Sequence, residues 1–169
     1  WYSRQGCAEK LTLREDGSIE QAEITSCGLN GGPLKGKGEY PAYIACNLFT
    51  DEPAVYVGGV NVPKIMQDGR DGDEEVGYIA NITDSTTIGF KYFDCHDIRE
   101  ISIWTRGYAD GTFEVKTAWD GEVLATLEVQ YTNVWEKYTA PVTIPDGIQA
   151  LYLTYRGNGN TALRSFELS

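Results

Sequence analysis

Apolar and polar residues alternate at two-residue spacing along much of this 169-residue chain, and no stretch sustains the 3.6-residue period of an amphipathic helix. The alternation is clearest in Ile101-Ser-Ile103, Phe113-Glu-Val115-Lys and Leu151-Tyr-Leu153-Thr-Tyr155. It predicts strands over residues 42–48, 75–79, 86–93, 100–106, 112–119, 122–129, 135–142, 150–155 and 163–168. Turn signals fall between them at Ala109-Asp-Gly111, Asp120-Gly121, Pro145-Asp-Gly147 and Gly157-Asn-Gly-Asn160. Short strands at this spacing predict an all-β chain folded as a β-sandwich of jelly-roll type. Residues 1–29 read as a separate β-hairpin, because Asp16-Gly17 is a strong hairpin turn between two alternating runs. Residues 30–39 are glycine-rich with little to bury, which predicts a linker, and residues 40–169 form the sandwich. No internal repeat is visible.

Composition supports this and narrows the partners. Glycine (19), tyrosine (11) and tryptophan (4) are plentiful while methionine and histidine each occur once, a balance that favours strands and tight turns. The formal charge of −11 would repel phosphate backbones and anionic lipid, so neither nucleic acid nor a membrane is an expected partner. A neutral polysaccharide meets no such objection. No apolar run approaches the roughly 20 residues of a membrane span. The chain opens without a charged-then-apolar leader, as a mature or excised fragment would. Cys7, Cys27, Cys46 and Cys95 include no CxxC pair; a Cys7–Cys27 bridge and buried thiols both remain open.

From about Tyr40 onward the chain resembles the family 6 carbohydrate-binding modules. The resemblance is carried by an ordered set of pieces. An acidic loop, Asp68-Gly-Arg-Asp-Gly-Asp-Glu-Glu75, runs into Val76-Gly-Tyr-Ile79. Ile88-Gly-Phe-Lys-Tyr-Phe-Asp94, Gly111-Thr-Phe-Glu-Val-Lys116, Leu124-Ala-Thr-Leu-Glu-Val129 and Trp135-Glu-Lys-Tyr138 follow. The set closes with Leu151-Tyr-Leu-Thr-Tyr155, Gly157 and Leu163-Arg-Ser-Phe166. The front piece is similar to the tail of a family 43 glycoside hydrolase catalytic domain. That likeness is carried by Tyr2-Ser-Arg-Gln-Gly-Cys-Ala-Glu-Lys-Leu11, Glu15-Asp-Gly-Ser-Ile19 and Glu23-Ile-Thr-Ser-Cys-Gly28. Together the resemblances imply a non-catalytic, monomeric module of a secreted, cell-surface or periplasmic bacterial enzyme. It would bind xylan, arabinoxylan or a related β-glycan, with the parent catalytic domain as its partner in cis.

A pyranose ring has apolar C–H faces and a rim of hydroxyls, so an aromatic wall with polar neighbours is the expected apparatus. By resemblance, Tyr78 and Trp135 would clamp one sugar between them; core filling is the alternative for each. The family's asparagine before the final strand is replaced here by Ala162, leaving Asn158 and Asn160 just upstream as rim groups or as turn residues. Glu74 and Glu75 are rim acceptors or solvated loop charges. Trp104 falls out of phase with Ile101 and Ile103 and is expected to face outward; Trp119 is expected at a turn.

The family's structural calcium needs oxygen ligands. At the corresponding positions stand Cys46 and Arg164, a thiol and a guanidinium, so no metal site of the family's kind is expected, although calcium binding elsewhere stays open. Asp68, Asp71, Asp73 and Glu74 lack the DxDxDG spacing of a calcium loop. Cys95 and His96 are adjacent and would point to opposite sheet faces, which argues against a nucleophile–base pair. Three readings remain: a binding module, an interaction domain packed on its parent catalytic domain with little sugar affinity, and a small β-sandwich glycosidase or lyase.

Overall fold

The computed structural model describes residues 7–51, 62–67 and 77–169. Among the described residues, ten strands are joined in one hydrogen-bonded network: β1 Leu34–Lys35, β2 Gly38–Pro41, β3 Asn47–Phe49, β4 Lys64–Gln67, β5 Gly77–Ile82, β6 Thr87–Cys95, β7 Ile98–Lys116, β8 Ala125–Val129, β9 Thr132–Ile144 and β10 Gly147–Leu168. Residues 42–44, expected to open a strand, form a short 3₁₀ turn after Pro41 instead. Proline has no N–H to offer the ladder at the point where the chain bends away from β10.

The long strands β7 and β10 pair along almost their whole length and belong to both layers of a sandwich. In one layer the later half of β10 pairs with β2 and β5, β4 extends β5, and β9 flanks the first half of β7. In the other, β6 flanks the first half of β10, β3 and β1 extend it, and β8 flanks the end of β7. Inward residues from both layers meet in one core, including Ile101, Ile103, Phe113, Leu151, Leu153, Leu163 and Phe166. Ile101, Ile103, Phe113, Leu151 and Leu153 are alternating positions of the sequence, so the two-residue period reports a real inner face, while a register shift between Leu163 and Ser165 puts Leu163 and Phe166 on that face three residues apart.

Two of the expected turns are not turns. Ala109-Asp-Gly111 and Gly157-Asn-Gly-Asn160 lie opposite one another inside the β7–β10 ladder, with Gly157 paired to Gly111 and Gly159 to Ala109. The glycines are needed because the two backbones approach too closely for side chains. A Cβ on Gly157 would sit 2.5 Å from both the Asp110 carbonyl oxygen and the Gly111 Cα, and one on Gly159 would collide with the Tyr108 carbonyl. Gly157 and Gly159 also carry φ of +148° and +85°, backbone that glycine adopts at no steric cost.

The glycine-rich segment expected to be a linker is woven into the sheet from Leu34 onward. Leu34 and Lys35 run parallel to Phe93 and Asp94, and the Gly36 amide donates to the Asp94 carbonyl at 2.8 Å. The front hairpin is shorter than expected. Its turn forms, with Asp16 accepting from both the amide and the hydroxyl of Ser18, but the ladder is a single bridge between Leu13 and Ile19.

That front segment is tied to the sandwich through β6. The Lys91 amide donates to the Ser26 hydroxyl at 3.1 Å, the Ser26 amide donates to the Lys91 carbonyl, and the Tyr92 amide donates to the Cys27 sulfur at 3.4 Å. Glu23 accepts from the Lys91 ammonium at 2.9 Å and from the Tyr92 hydroxyl. The Lys91 hydrogen bond, then that of Tyr92, hold the Glu23 carboxyl below its ordinary value of 4.5, and the same bond to Glu23 raises Lys91 above 10.5. A depressed acid stabilises the tie above its unfolded value and loses that contribution as pH falls through the folded one. A raised lysine contributes below its unfolded value and fades in alkali. The tie is therefore strongest between about pH 4.5 and 10.5. Because Glu23 is half exposed, solvent screens much of the interaction. Glu23→Gln at neutral pH is expected to speed proteolytic cleavage within residues 10–25 a few-fold, and acid below about pH 4.5 is expected to do the same in the unaltered chain. Equal cleavage rates would contradict the assignment.

Candidate functional site

The outward face of the β7–β10 ribbon organises the candidate site. On β7 the residues out of phase with the core are Trp104, Arg106, Tyr108 and Asp110. Across the ladder, Arg106 faces Ala162, Tyr108 faces Asn160 and Asp110 faces Asn158. Directly paired residues of an antiparallel ladder project to the same side, so Asn158 and Asn160 share this face with the β7 residues. Both asparagines are exposed. Their segment is held from two sides: the Tyr155 hydroxyl, reaching out of the core, donates to the Asn158 carbonyl at 2.6 Å, and the Gly157 amide donates to Asp84 at 3.0 Å. Burial, the largest influence on Tyr155, raises its pKa above the ordinary tyrosine value, so the hydroxyl stays a donor.

Tyr78 enters from β5 and Trp135 from β9, on either side of the ribbon. The fold brings them together: their ring centroids lie 5.5 Å apart at an interplanar angle of 65°. Both are half-buried, so neither is a core residue nor a freely swinging one. They do not form the expected clamp. A sugar between two rings needs carbon contacts of about 3.5–4.0 Å on each side, and hence about 7–8 Å between the walls. These rings instead touch edge to face, and the Arg106 guanidinium lies 4.3 Å from the Trp135 centroid and 5.4 Å from that of Tyr78. Arg106 covers a face of Trp135 where a sugar would stack. The pair makes an edge, not a slot.

Beside this edge stands a second aromatic pair. Tyr108 and Tyr131 stack with centroids 4.8 Å apart and planes 28° from parallel, and they are 74% and 57% exposed. Tyr131 sits in the β8–β9 connection, whose Gln130 carbonyl accepts from the Tyr138 hydroxyl at 3.2 Å. Arg106, Tyr108 and Tyr131 were not among the residues singled out from sequence. Extending the alternation of Trp104 past Arg106 would have placed Arg106 and Tyr108 on the outer face; the glycine at 107 and the expected turn at 109–111 hid it.

Glu75, with Glu74, Asp68, Asp71 and Asp73, lies outside the described residues. Trp104 does project outward but is half-buried, with the Lys137 ammonium 4.6 Å from its ring centroid. Trp119 packs edge-on against Phe49 and Tyr152, at 5.3 and 5.9 Å. The Cys46 thiol donates to the Gly89 carbonyl at 3.4 Å, and burial pushes its pKa up. A protonated thiol there and a guanidinium at Arg164 do not fit a calcium ion, which needs several anionic or carbonyl oxygens. Cys95 is buried, with its pKa pushed up to about 11 by burial, while His96 is exposed and pairs with Asp94 at 3.0 Å. His96 falls just past the end of β6, so the two differ in burial without being neighbours on one strand. All four cysteines are free thiols.

No family model matches the chain. A xylosidase/arabinosidase of Thermoclostridium stercorarium is 57% identical over 173 residues, spanning 99% of this chain but only 37% of the relative. Among solved structures, a family 6 carbohydrate-binding module of Clostridium stercorarium in complex with cellobiose aligns with a TM-score of 0.66 at 16% identity, covering 82% of this chain and 98% of the module. A family 6 module of Clostridium cellulolyticum in complex with xylose gives 0.63 at 13% identity, over 80% and 99%. A family 43 arabinoxylan arabinofuranohydrolase of Bacillus subtilis in complex with cellotetraose gives 0.64 at 18% identity, over 95% of this chain and 33% of the enzyme. The enzyme accounts for more of this chain than the isolated modules do. The chain therefore has the β-sandwich fold of the family 6 carbohydrate-binding modules, and in sequence it is similar to a segment of a xylosidase/arabinosidase.

Proposed function

We propose that this chain is a non-catalytic carbohydrate-binding module of a secreted bacterial glycoside hydrolase, and that it holds neutral β-glycans of the xylan or arabinoxylan class. The observation that carries the reading is the meeting of Tyr78 and Trp135, from strands far apart in sequence, at one outward edge with Arg106 against them. Aromatic surface covers the C–H face of a sugar at little entropic cost, having only two side-chain torsions to fix. The guanidinium beside it, and the amides of Asn158 and Asn160 across the ribbon, are donors suited to ring hydroxyls. Glu75 is an acceptor proposed for the same rim. The xylan class rests on the similarity to a xylosidase/arabinosidase, and residues 1–29 are proposed as the end of the parent catalytic domain.

One observation favours the second reading, a platform for the parent enzyme: the front segment is bonded to β6 through Glu23, Ser26 and Cys27. The two readings separate in native affinity electrophoresis. The chain is expected to migrate more slowly in gels containing soluble arabinoxylan, and to release no reducing sugar on long incubation. Unretarded migration on arabinoxylan, xylan and mixed-linkage glucan alike would favour the platform, and sugar release would overturn the non-catalytic assignment.

A further inference from the structure

The Tyr108–Tyr131 stack has the marks of a binding surface, and the aromatic edge already described does not use it. Two tyrosines that are 74% and 57% exposed expose large ring faces to water, although neither the core nor a turn requires them there. They are nonetheless held in place. Tyr108 is fixed in the β7–β10 ladder, and Tyr131 is fixed by its stacking partner and by the Tyr138 bond to the neighbouring Gln130 carbonyl. A rigid exposed aromatic pair loses little freedom when a ligand settles on it.

Its position adds chemistry. Asn160 is the ladder partner of Tyr108 and is itself exposed, which sets a primary amide beside the ring. That amide offers two donors and an acceptor, the set that a vicinal diol can meet. Arg106 lies two residues before Tyr108 on the same face, about 7 Å along an extended strand, a step on the scale of one sugar unit. The Tyr78–Trp135–Arg106 edge and the tyrosine stack therefore follow one another along a single outward strip.

We propose that Tyr108, Tyr131 and Asn160 form a second sugar subsite, continuous with the Tyr78–Trp135 edge, that takes the neighbouring pyranose of a bound neutral polysaccharide. The stack covers the C–H face of that ring and the Asn160 amide bonds its hydroxyls. This rests on the binding-module reading. It explains how a strip whose first element is partly covered by Arg106 still offers open stacking surface. It also makes the site long enough to prefer chains over single sugars.

The test is isothermal titration of the chain with xylose and with xylo-oligosaccharides of two to six units, for the unaltered protein and for Tyr108→Ala, Tyr131→Ala, Asn160→Ala and Trp135→Ala. Thermal melts accompany each variant; all three residues of the subsite are exposed, so melting is expected to change little. Affinity of the unaltered chain should rise with oligosaccharide length. Tyr131→Ala and Tyr108→Ala should each remove roughly ten-fold of it for the longer ligands and little for xylose, and Asn160→Ala a few-fold. Loss of binding in Trp135→Ala with undiminished binding in both tyrosine variants would overturn this subsite and leave the module reading standing. An unaltered chain that binds none of these ligands, nor soluble arabinoxylan, would overturn the module reading and the subsite with it.

Discussion

Trp135→Ala is expected to abolish retardation of the chain by soluble arabinoxylan while shifting its melting temperature by only a few degrees. Trp135 is half-buried and supports both the Tyr78 ring and the Arg106 guanidinium. Its removal deletes an aromatic wall of the site and also frees the two groups that lean on it. Truncated aromatic anchors at interfaces commonly cost about 2 kcal/mol or more, roughly a thirty-fold loss in affinity. A weak module cannot absorb such a loss and remain detectable. The fold should tolerate it, because the inward side of β9 is packed by Ala140, Val142 and Ile144 and not by the indole. Trp119→Ala is the matched control: it also removes an accessible indole, but one packed on Phe49 and Tyr152 in the other layer. Retardation of Trp135→Ala equal to that of Trp119→Ala would contradict the placement of the site.

Phe166→Ala is expected to produce a large loss of stability, about 3–5 kcal/mol. Phe166 is fully buried on β10, and its ring meets Phe90 at 4.5 Å, Tyr40 at 5.7 Å and Phe93 at 5.8 Å. These partners come from β2 and β6, so the ring joins both layers and fixes the strand that carries residues 38–41. Removing it leaves a cavity between two sheets whose strands are hydrogen-bonded in fixed register and cannot collapse inward. At roughly 2–4 °C per kcal/mol for a chain of this size, the melting midpoint should fall by about 10 °C. Urea unfolding should show a lower midpoint with an unchanged slope. A loss under about 1 kcal/mol would mean that the aromatic cluster is not the joint between the layers.

The parts of this structure that were legible in the sequence are those governed by the two-residue period. Ile101, Ile103, Phe113, Leu151 and Leu153 face inward as their alternation required, although β10 is covered on both sides over residues 151–155, where Tyr152 and Thr154 are buried too. The clustered glycines were legible as backbone features but not as to kind. Gly111, Gly157 and Gly159 have the composition of turns, yet they serve a close approach of two strands. Only the pairing partner distinguishes the two uses, and a partner some fifty residues away leaves no local trace. Residues 34–39 were misread for a related reason: their strands are short and pair with partners far along the chain. At the site, the meeting of Tyr78 with Trp135 was anticipated, but the space between them was not. Whether two rings form a slot or an edge depends on the side chain entering from the strand between them, and the identity of that strand is set by the topology. Arg106 was thus unreadable as a site residue until β7 was known to run between β9 and β10.

We place bound sugar on the outward strip of the β7–β10 ribbon and its flanking strands. Titration with xylohexaose followed by two-dimensional NMR of the indole N–H groups reads this placement out, since Trp104, Trp119 and Trp135 lie in three separate surroundings. The resonance of Trp135 is predicted to move in proportion to saturation while that of Trp119 stays in place. Movement confined to Trp119, or no movement of any indole at millimolar ligand, would contradict it.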